Sequence, residues 1–137
     1  YAAEGAHFAT PGVHIGLFCA TPMVALSRNV AAKHAMEMLL TGDPCKAPRA
    51  AEIGLLNEAV PADELTGRVM AVAAKIAAKS TATVAYGKPA FYQQAEMTLA
   101  DAYQHAAAVM VENMLARDAE EGIAAFIEKR APVWSDS

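Results

Sequence analysis

No run of apolar residues in this 137-residue chain approaches the ~18 needed to cross a bilayer, so no membrane span is expected. Basic residues do not cluster either. With 11 Lys and Arg against 15 Asp and Glu the formal charge is −4, and nothing in the chain could neutralise a phosphate track, which excludes nucleic acid as a general partner. Cysteine is scarce: Cys19 and Cys45 form neither a zinc spacing nor a disulfide framework and read as small semi-buried apolar residues in a reducing compartment. There is no internal repeat, low-complexity tract or linker, so one unit is expected, and no secretory or transit segment opens the chain. The most local absence is of acid. No Asp or Glu occurs between Glu4 and Glu37.

What is present is apolar and rich in alanine. A hydrophobic content of 55% is high for a small domain, but Ala supplies much of it, which suits closely packed helices. The stretch from Phe8 to Arg28 changes direction repeatedly. Gly12 and Gly16 lack side chains, so either can take positive φ or let a ligand lie against the main chain. Thr21 is a candidate N-cap, with Pro22 at the first helical position. By spacing alone the stretch is an ordinary strand-loop-helix connection.

In chain order, Tyr1 to Gly5 reads as the frayed end of something begun earlier, and Ala6 to Pro11 as a short strand. Val13 to Phe18 is too short to assign by periodicity. A second helix from Asn29 or Val30 to Leu40 carries Ala31, Ala35, Met38 and Leu39 on one face, and Gly42 suits the left-handed position that stops it. Pro48 opens a helix through about Gly54, and Leu55 to Val60 reads as extended. After Pro61, Leu65, Val69, Val72 and Ile76 form one stripe that should pack against another element. Thr81 to Glu96 is helical in composition, with a kink or break expected near Tyr86 because Pro89 lacks a donor and clashes with the preceding turn. A helix from Thr98 places Leu99, Ala102, Tyr103, Ala106, Met110 and Met114 on one face. Asp118 with Glu121 resembles a capping box opening a last helix, Ala119 to Lys129, whose apolar face is Ile123, Phe126 and Ile127.

Four blocks carry a family resemblance. They are F-A-T-P-x-V-x-I-G-L-F from Phe8, A-L-S-R from Ala25, A-M-E-M-L-L-T-G-D from Ala35 and A-A-E-I-G-L-L-N-E-A-V-P from Ala50. In this order they resemble the C-terminal half of the crotonase (enoyl-CoA hydratase/isomerase) superfamily, from about Tyr1 to Trp134. The resemblance implies the α+β ClpP/crotonase-like fold, here its mostly helical half with a few short strands. Residues 1–60 would end the core and form an active-site wall, residues 61–137 would form a helical trimerisation region, and the N-terminal half of the family fold would be absent. It implies an acyl-CoA thioester as ligand, no cofactor beyond the coenzyme A of that substrate, a homotrimer or hexamer, and a bacterial cytoplasmic or mitochondrial matrix location.

Crotonase-type chemistry holds the thioester carbonyl between two backbone N–H groups that stabilise an enolate, each such donor being worth ~2.7–4 kcal/mol in standard comparisons. Both donors would lie in the other half. The resemblance puts Pro11, Gly12, Ile15 and Gly16 on the acyl-pocket wall. Hydratases of the family carry F-G-x-P-E-x-x-x-G, and the position of that Glu is Gly12 here, so the usual pair of carboxylates is incomplete. Gly12→Glu is expected to raise hydratase activity if the backbone permits it. His14, on the same side as Gly12 if the segment is extended, is a candidate proton-transfer group or else a structural or surface histidine. Cys19 lies where some relatives place a carboxylate and is a candidate nucleophile at a helix mouth, or else a packed small residue.

The last helix carries A-F-I-E-K-R, and in the family its Phe and Lys approach the adenine and phosphate end of CoA. These are Phe126 and Lys129, three apart as residues sharing a helix face are. Alternatively Phe126 is core beside Ile123, and Lys129 a cation favoured at a helix C-terminus. Two functions stay open: an enoyl-CoA hydratase/isomerase-like enzyme with an altered acid–base set, or a non-catalytic acyl-CoA-binding regulatory protein of fatty-acid metabolism.

Overall fold

The computed structural model describes residues 1–135. Its elements are β1 (Ala2–Ala3), β2 (His7–Phe8), a 3-10 helix (Pro11–Ile15), α1 (Ala20–Asn29), α2 (Ala32–Thr41), β3 (Cys45–Lys46), α3 (Ala47–Glu52), β4 (Ala59–Val60), α4 (Leu65–Ala77), α5 (Thr81–Gln94), α6 (Leu99–Met114) and α7 (Arg117–Glu128). The chain divides into two compact units, one from Tyr1 to Ala71 and one from Val72 onward.

In the first unit β1 runs parallel to β4, pairing Ala2 with Ala59 and Ala3 with Val60, while β2 is antiparallel to β3, pairing His7 with Lys46 and Phe8 with Cys45. Ala2 and Ala3 are therefore strand rather than part of a frayed end. Their donors have partners that sequence reading cannot see, since those partners lie more than fifty residues away. Of the extended stretch expected from Leu55, only Ala59–Val60 is strand; the amides of Leu55 and Leu56 both turn back to the Ala50 carbonyl.

A small core forms where α1 meets α2. Leu26 and Val30 pack with Ala35, Met38 and Leu39, and Phe8, Met23, Cys45 and Ile53 lean on this cluster. Three of the four residues expected on the face of α2 are thus inside. Ala31 is not; it is the N-cap residue and exposed. Leu39 is 2% exposed, and truncating a side chain so enclosed costs ~2–5 kcal/mol. Gly42 closes α2 at φ 67 with its N–H on the Met38 carbonyl, as expected of a left-handed stop.

α1 begins two residues earlier than the Thr21 cap would place it. Cys19 is the N-cap residue, and Thr21 and Pro22 lie inside the first turn, where a missing proline N–H costs nothing because that turn has no intrahelical acceptor for it. No side chain caps this helix.

In the second unit Ser80 caps α5 by accepting the Thr83 N–H, and Thr98 caps α6 by accepting that of Asp101. The break expected near Tyr86 is not found: α5 continues through Pro89. One lost donor is outweighed by packing along the length of α6, the neighbour with which α5 has its most extensive contact. The capping box at Asp118 is not formed either. Ala116 is the N-cap of α7, and Asp118, 2% exposed, accepts instead from the backbone N–H and hydroxyl of Ser135, each at 2.7 Å. This draws the C-terminal tail back over α7. There Trp134 covers Gly122, where a Cβ would sit 3.4 Å from the indole, and donates its Nε1–H to the Ala78 carbonyl at 2.9 Å.

The apolar stripes of the later helices are not enclosed by the described chain. None of α4, α5 and α6 contains a buried residue, and Ile76, Leu99, Tyr103 and Met110 are all more than half exposed.

Candidate functional site

The turn from Thr10 to Cys19 brings most of the expected wall together. Pro11 opens the 3-10 helix, Gly16 ends it at φ 74, and the Leu17 amide returns to the Gly12 carbonyl at 2.9 Å. Gly12 to His14 is therefore helical rather than extended, and the alternation that would set His14 beside Gly12 does not apply. Pro11, Ile15 and Gly16 are exposed, Ile15 to 77%.

Gly12 itself is tightly enclosed. Its N–H donates to the Cys19 sulfur at 3.3 Å, and a Cβ built on it would meet the Leu17 carbonyl oxygen at 2.6 Å and that sulfur at 2.8 Å. Real Cβ atoms do not approach so closely, and the nearer obstacle is backbone. The condition attached to Gly12→Glu, a permissive backbone, is not met.

His14 turns elsewhere. Its Nε2 lies 2.9 Å from the Thr41 carbonyl at the end of α2, donating there in the tautomer that carries the Nε2 proton, and the ring abuts Gly42, whose Cβ would fall 2.9 Å from the same nitrogen. A second bond sets the turn on α2: the Thr10 hydroxyl, buried, donates to the Met38 carbonyl at 2.8 Å. Thr10 was not singled out from sequence. Its sign was only a hydroxyl before proline, a common pattern.

The other cluster closes α7. Phe126 is 84% exposed, which removes the reading of it as core, and it lines an open apolar hollow of about 320 Å³ with Met110, Met114 and Ile123. Lys129 lies one residue past the helix, at φ 54, the only described non-glycine residue with positive φ. The face-sharing argument from spacing therefore does not reach Lys129. The turn is a Schellman motif: the Arg130 N–H returns to the Ala125 carbonyl at 3.0 Å and that of Lys129 to the Phe126 carbonyl at 3.3 Å.

Arg130 follows with two carboxylates. It forks onto Glu121, Nη1 to Oε1 at 2.6 Å and Nη2 to Oε2 at 2.9 Å, and its Nε reaches Glu128 Oε2 at 2.6 Å. Glu121 also accepts the Val133 N–H at 2.8 Å. Hydrogen bonds from Arg130 and then from Val133 pull the Glu121 carboxyl down to about 2, and hydrogen bonds to Glu121 and then to Glu128 raise Arg130 above its ordinary value. Lys129, by contrast, has no ion-pair partner among the described residues. Sequence reading missed Glu121 and Arg130 in these roles, although a helix ending in E-K-R with no glycine after it was a sign that a lysine would take the left-handed position.

These two clusters lie within a chain whose whole length, residues 1–137, matches the family model described as "Enoyl-CoA hydratase/isomerase". The mouse protein called enoyl-CoA hydratase domain-containing protein 3, mitochondrial, is 48% identical over 134 residues, 98% of this chain and 45% of that protein. The crystal structure of human enoyl coenzyme A hydratase domain-containing protein 3 superposes with a TM-score of 0.91 at 48% identity, covering 96% of this chain and 52% of that one. An enoyl-CoA hydratase from Mycobacterium smegmatis gives 0.93 at 46% identity over 96% of this chain and 51% of its own. The chain thus spans about half the length of the relatives it matches. On this agreement of sequence and fold, it belongs to the enoyl-CoA hydratase/isomerase family and carries about half of that family's α+β crotonase fold.

Proposed function

We propose that the intact protein binds acyl-CoA thioesters as an enoyl-CoA hydratase/isomerase-like member of its family, with an oxyanion hole contributed from outside this chain and no carboxylate at Gly12. The observation that carries this reading is the enclosure of Gly12, where backbone and the Cys19 sulfur occupy the space a side chain would need. General acid–base groups contribute ~10²–10⁴-fold, so hydration of crotonyl-CoA should be slower by that order than in relatives with both carboxylates. Coenzyme A enters as part of the substrate. Residues 1–60 serve as the wall of the acyl pocket, with Pro11, Ile15 and Gly16 facing the chain of the ligand.

Phe126 and Lys129 take the nucleotide end, the ring offering adenine an apolar surface and the ammonium a point charge to phosphate. The exposure of Phe126 and the lack of an ion-pair partner for Lys129 among the described residues support this. Helices of residues 61–137 meet partner subunits in a trimer or a pair of trimers, which would cover the stripes left open on α4 and α6. Mitochondrial and bacterial relatives support a matrix or bacterial cytoplasmic location. A second reading, a non-catalytic acyl-CoA-binding protein of fatty-acid metabolism, is favoured by the lack of any acid between Glu4 and Glu37.

One comparison tests both. The intact protein should bind crotonyl-CoA, sediment as a trimer or hexamer and hydrate slowly. Robust hydration unaffected by His14→Ala would overturn the assignment of the missing acid. No turnover of any enoyl- or acyl-CoA would select the binding role.

A further inference from the structure

The end of α7 presents an electrostatic problem. A helix C-terminus is the negative end of the helix dipole; Glu128 stands at that end, and Glu121, seven residues earlier in α7, meets the same Arg130 guanidinium. An ammonium group there would ordinarily be neutralised by its own neighbours. It is not, because Arg130 takes both acids: a planar guanidinium can satisfy two carboxylates at once, as an ammonium cannot with the same geometry. The backbone N–H of Arg130 also closes the Schellman turn, in which Lys129 takes the left-handed region. That conformation costs a lysine ~1–3 kcal/mol relative to the glycine such turns prefer, so a lysine here stands against local preference.

We infer that Arg130, anchored by Glu121 and Glu128, is a positioning residue for Lys129, keeping its ammonium unpaired and its stem directed so that it can meet a phosphate of the CoA nucleotide. This rests on the reading of Lys129 given above and adds the device that makes it available. Two consequences follow from one side chain. Without the guanidinium, the carboxylates of Glu121 and Glu128 are released to compete for Lys129, and the turn loses the anchor of its last residue. Arg130 touches no ligand in this scheme; it acts through Lys129.

The test measures dissociation constants of crotonyl-CoA and of crotonyl-pantetheine, which lacks the nucleotide phosphates, for the intact protein and for Lys129→Ala, Arg130→Gln, Arg130→Lys and the double variant Lys129→Ala/Arg130→Gln. Lys129→Ala should weaken the CoA thioester about tenfold or more and leave the pantetheine thioester unchanged, as expected for loss of a charge-assisted contact. Arg130→Gln should reproduce roughly three- to tenfold of that selective loss. Arg130→Lys, which keeps charge but not the fork, should recover part of it. On the Lys129→Ala background, Arg130→Gln should have no further effect.

Equal losses for both ligands in Arg130→Gln and Arg130→Lys would overturn the inference, since Arg130 would then act through folding. So would additive losses in the double variant. If Lys129→Ala discriminates between the ligands and Arg130→Gln does not, the positioning role alone fails. If Lys129→Ala itself does not discriminate, the nucleotide-end reading of Lys129 fails and the inference falls with it.

Discussion

The Thr10 hydroxyl donates to the carbonyl oxygen of Met38, 28 residues further along, at 2.8 Å, and the same oxygen receives the Gly42 N–H at 3.0 Å. One acceptor thereby joins the start of the turn from Thr10 to Cys19 to the end of α2. Thr10→Val keeps the shape and removes the donor. The acceptor retains Gly42, so the loss should be about 1 kcal/mol, the net worth of one such bond, seen as a lower urea midpoint with an unchanged slope.

Gly12→Ala should destabilise the protein by ~1–3 kcal/mol, because the added methyl meets a backbone carbonyl that cannot move alone. Cys19→Ala in combination should recover only part, since the Leu17 oxygen remains the nearer obstacle. Gly12→Glu should be at least as destabilised and should not gain hydratase activity in a crotonyl-CoA assay. A stable, faster Gly12→Glu enzyme would mean that the turn opens readily.

Lys129→Gly should raise stability by about 1 kcal/mol while weakening CoA thioesters, because glycine takes φ 54 without the Cβ penalty. Thermal unfolding together with the two-ligand comparison separates these effects. A gain in stability with a loss in affinity is the signature expected of a residue kept for function.

Acid should loosen the C-terminal tail. The Glu121 carboxyl stays ionised in the folded protein down to about 2, whereas in the unfolded chain it takes a proton near its ordinary value of 4.5. Its contribution to stability is whole above about pH 4.5 and falls as pH drops from there toward 2. Glu121→Gln should flatten the pH dependence of unfolding in that window and leave its shape near neutrality unchanged, as followed by urea melts at stepped pH.

The helices after Pro61 could be read from their sequence because their causes are local: the caps at Ser80 and Thr98 and the stripe spacing lie within a few residues of the turns they control. The left-handed stop at Gly42 is of the same kind. What could not be read depends on distant partners. The strand at Ala2–Ala3 exists because Ala59–Val60 lies beside it, and Asp118 left its expected cap for Ser135, 17 positions away. Pro89 does not break α5, which runs on through it beside α6. In the turn from Thr10 to Cys19, the 3-10 winding that replaces the extended segment between Gly12 and His14 has no period by which five residues could announce it.

Trp134 is the chain's single tryptophan, and its indole is tied to the Ala78 carbonyl while it covers Gly122. The fluorophore therefore sits on the latch itself. Its emission will move to longer wavelength when the tail lifts from α7 and water reaches the ring, whether or not the helices beneath have melted. A protein observed this way labels its own C-terminus, and a fluorescence transition that precedes loss of helical dichroism would time the release of the tail without any added probe.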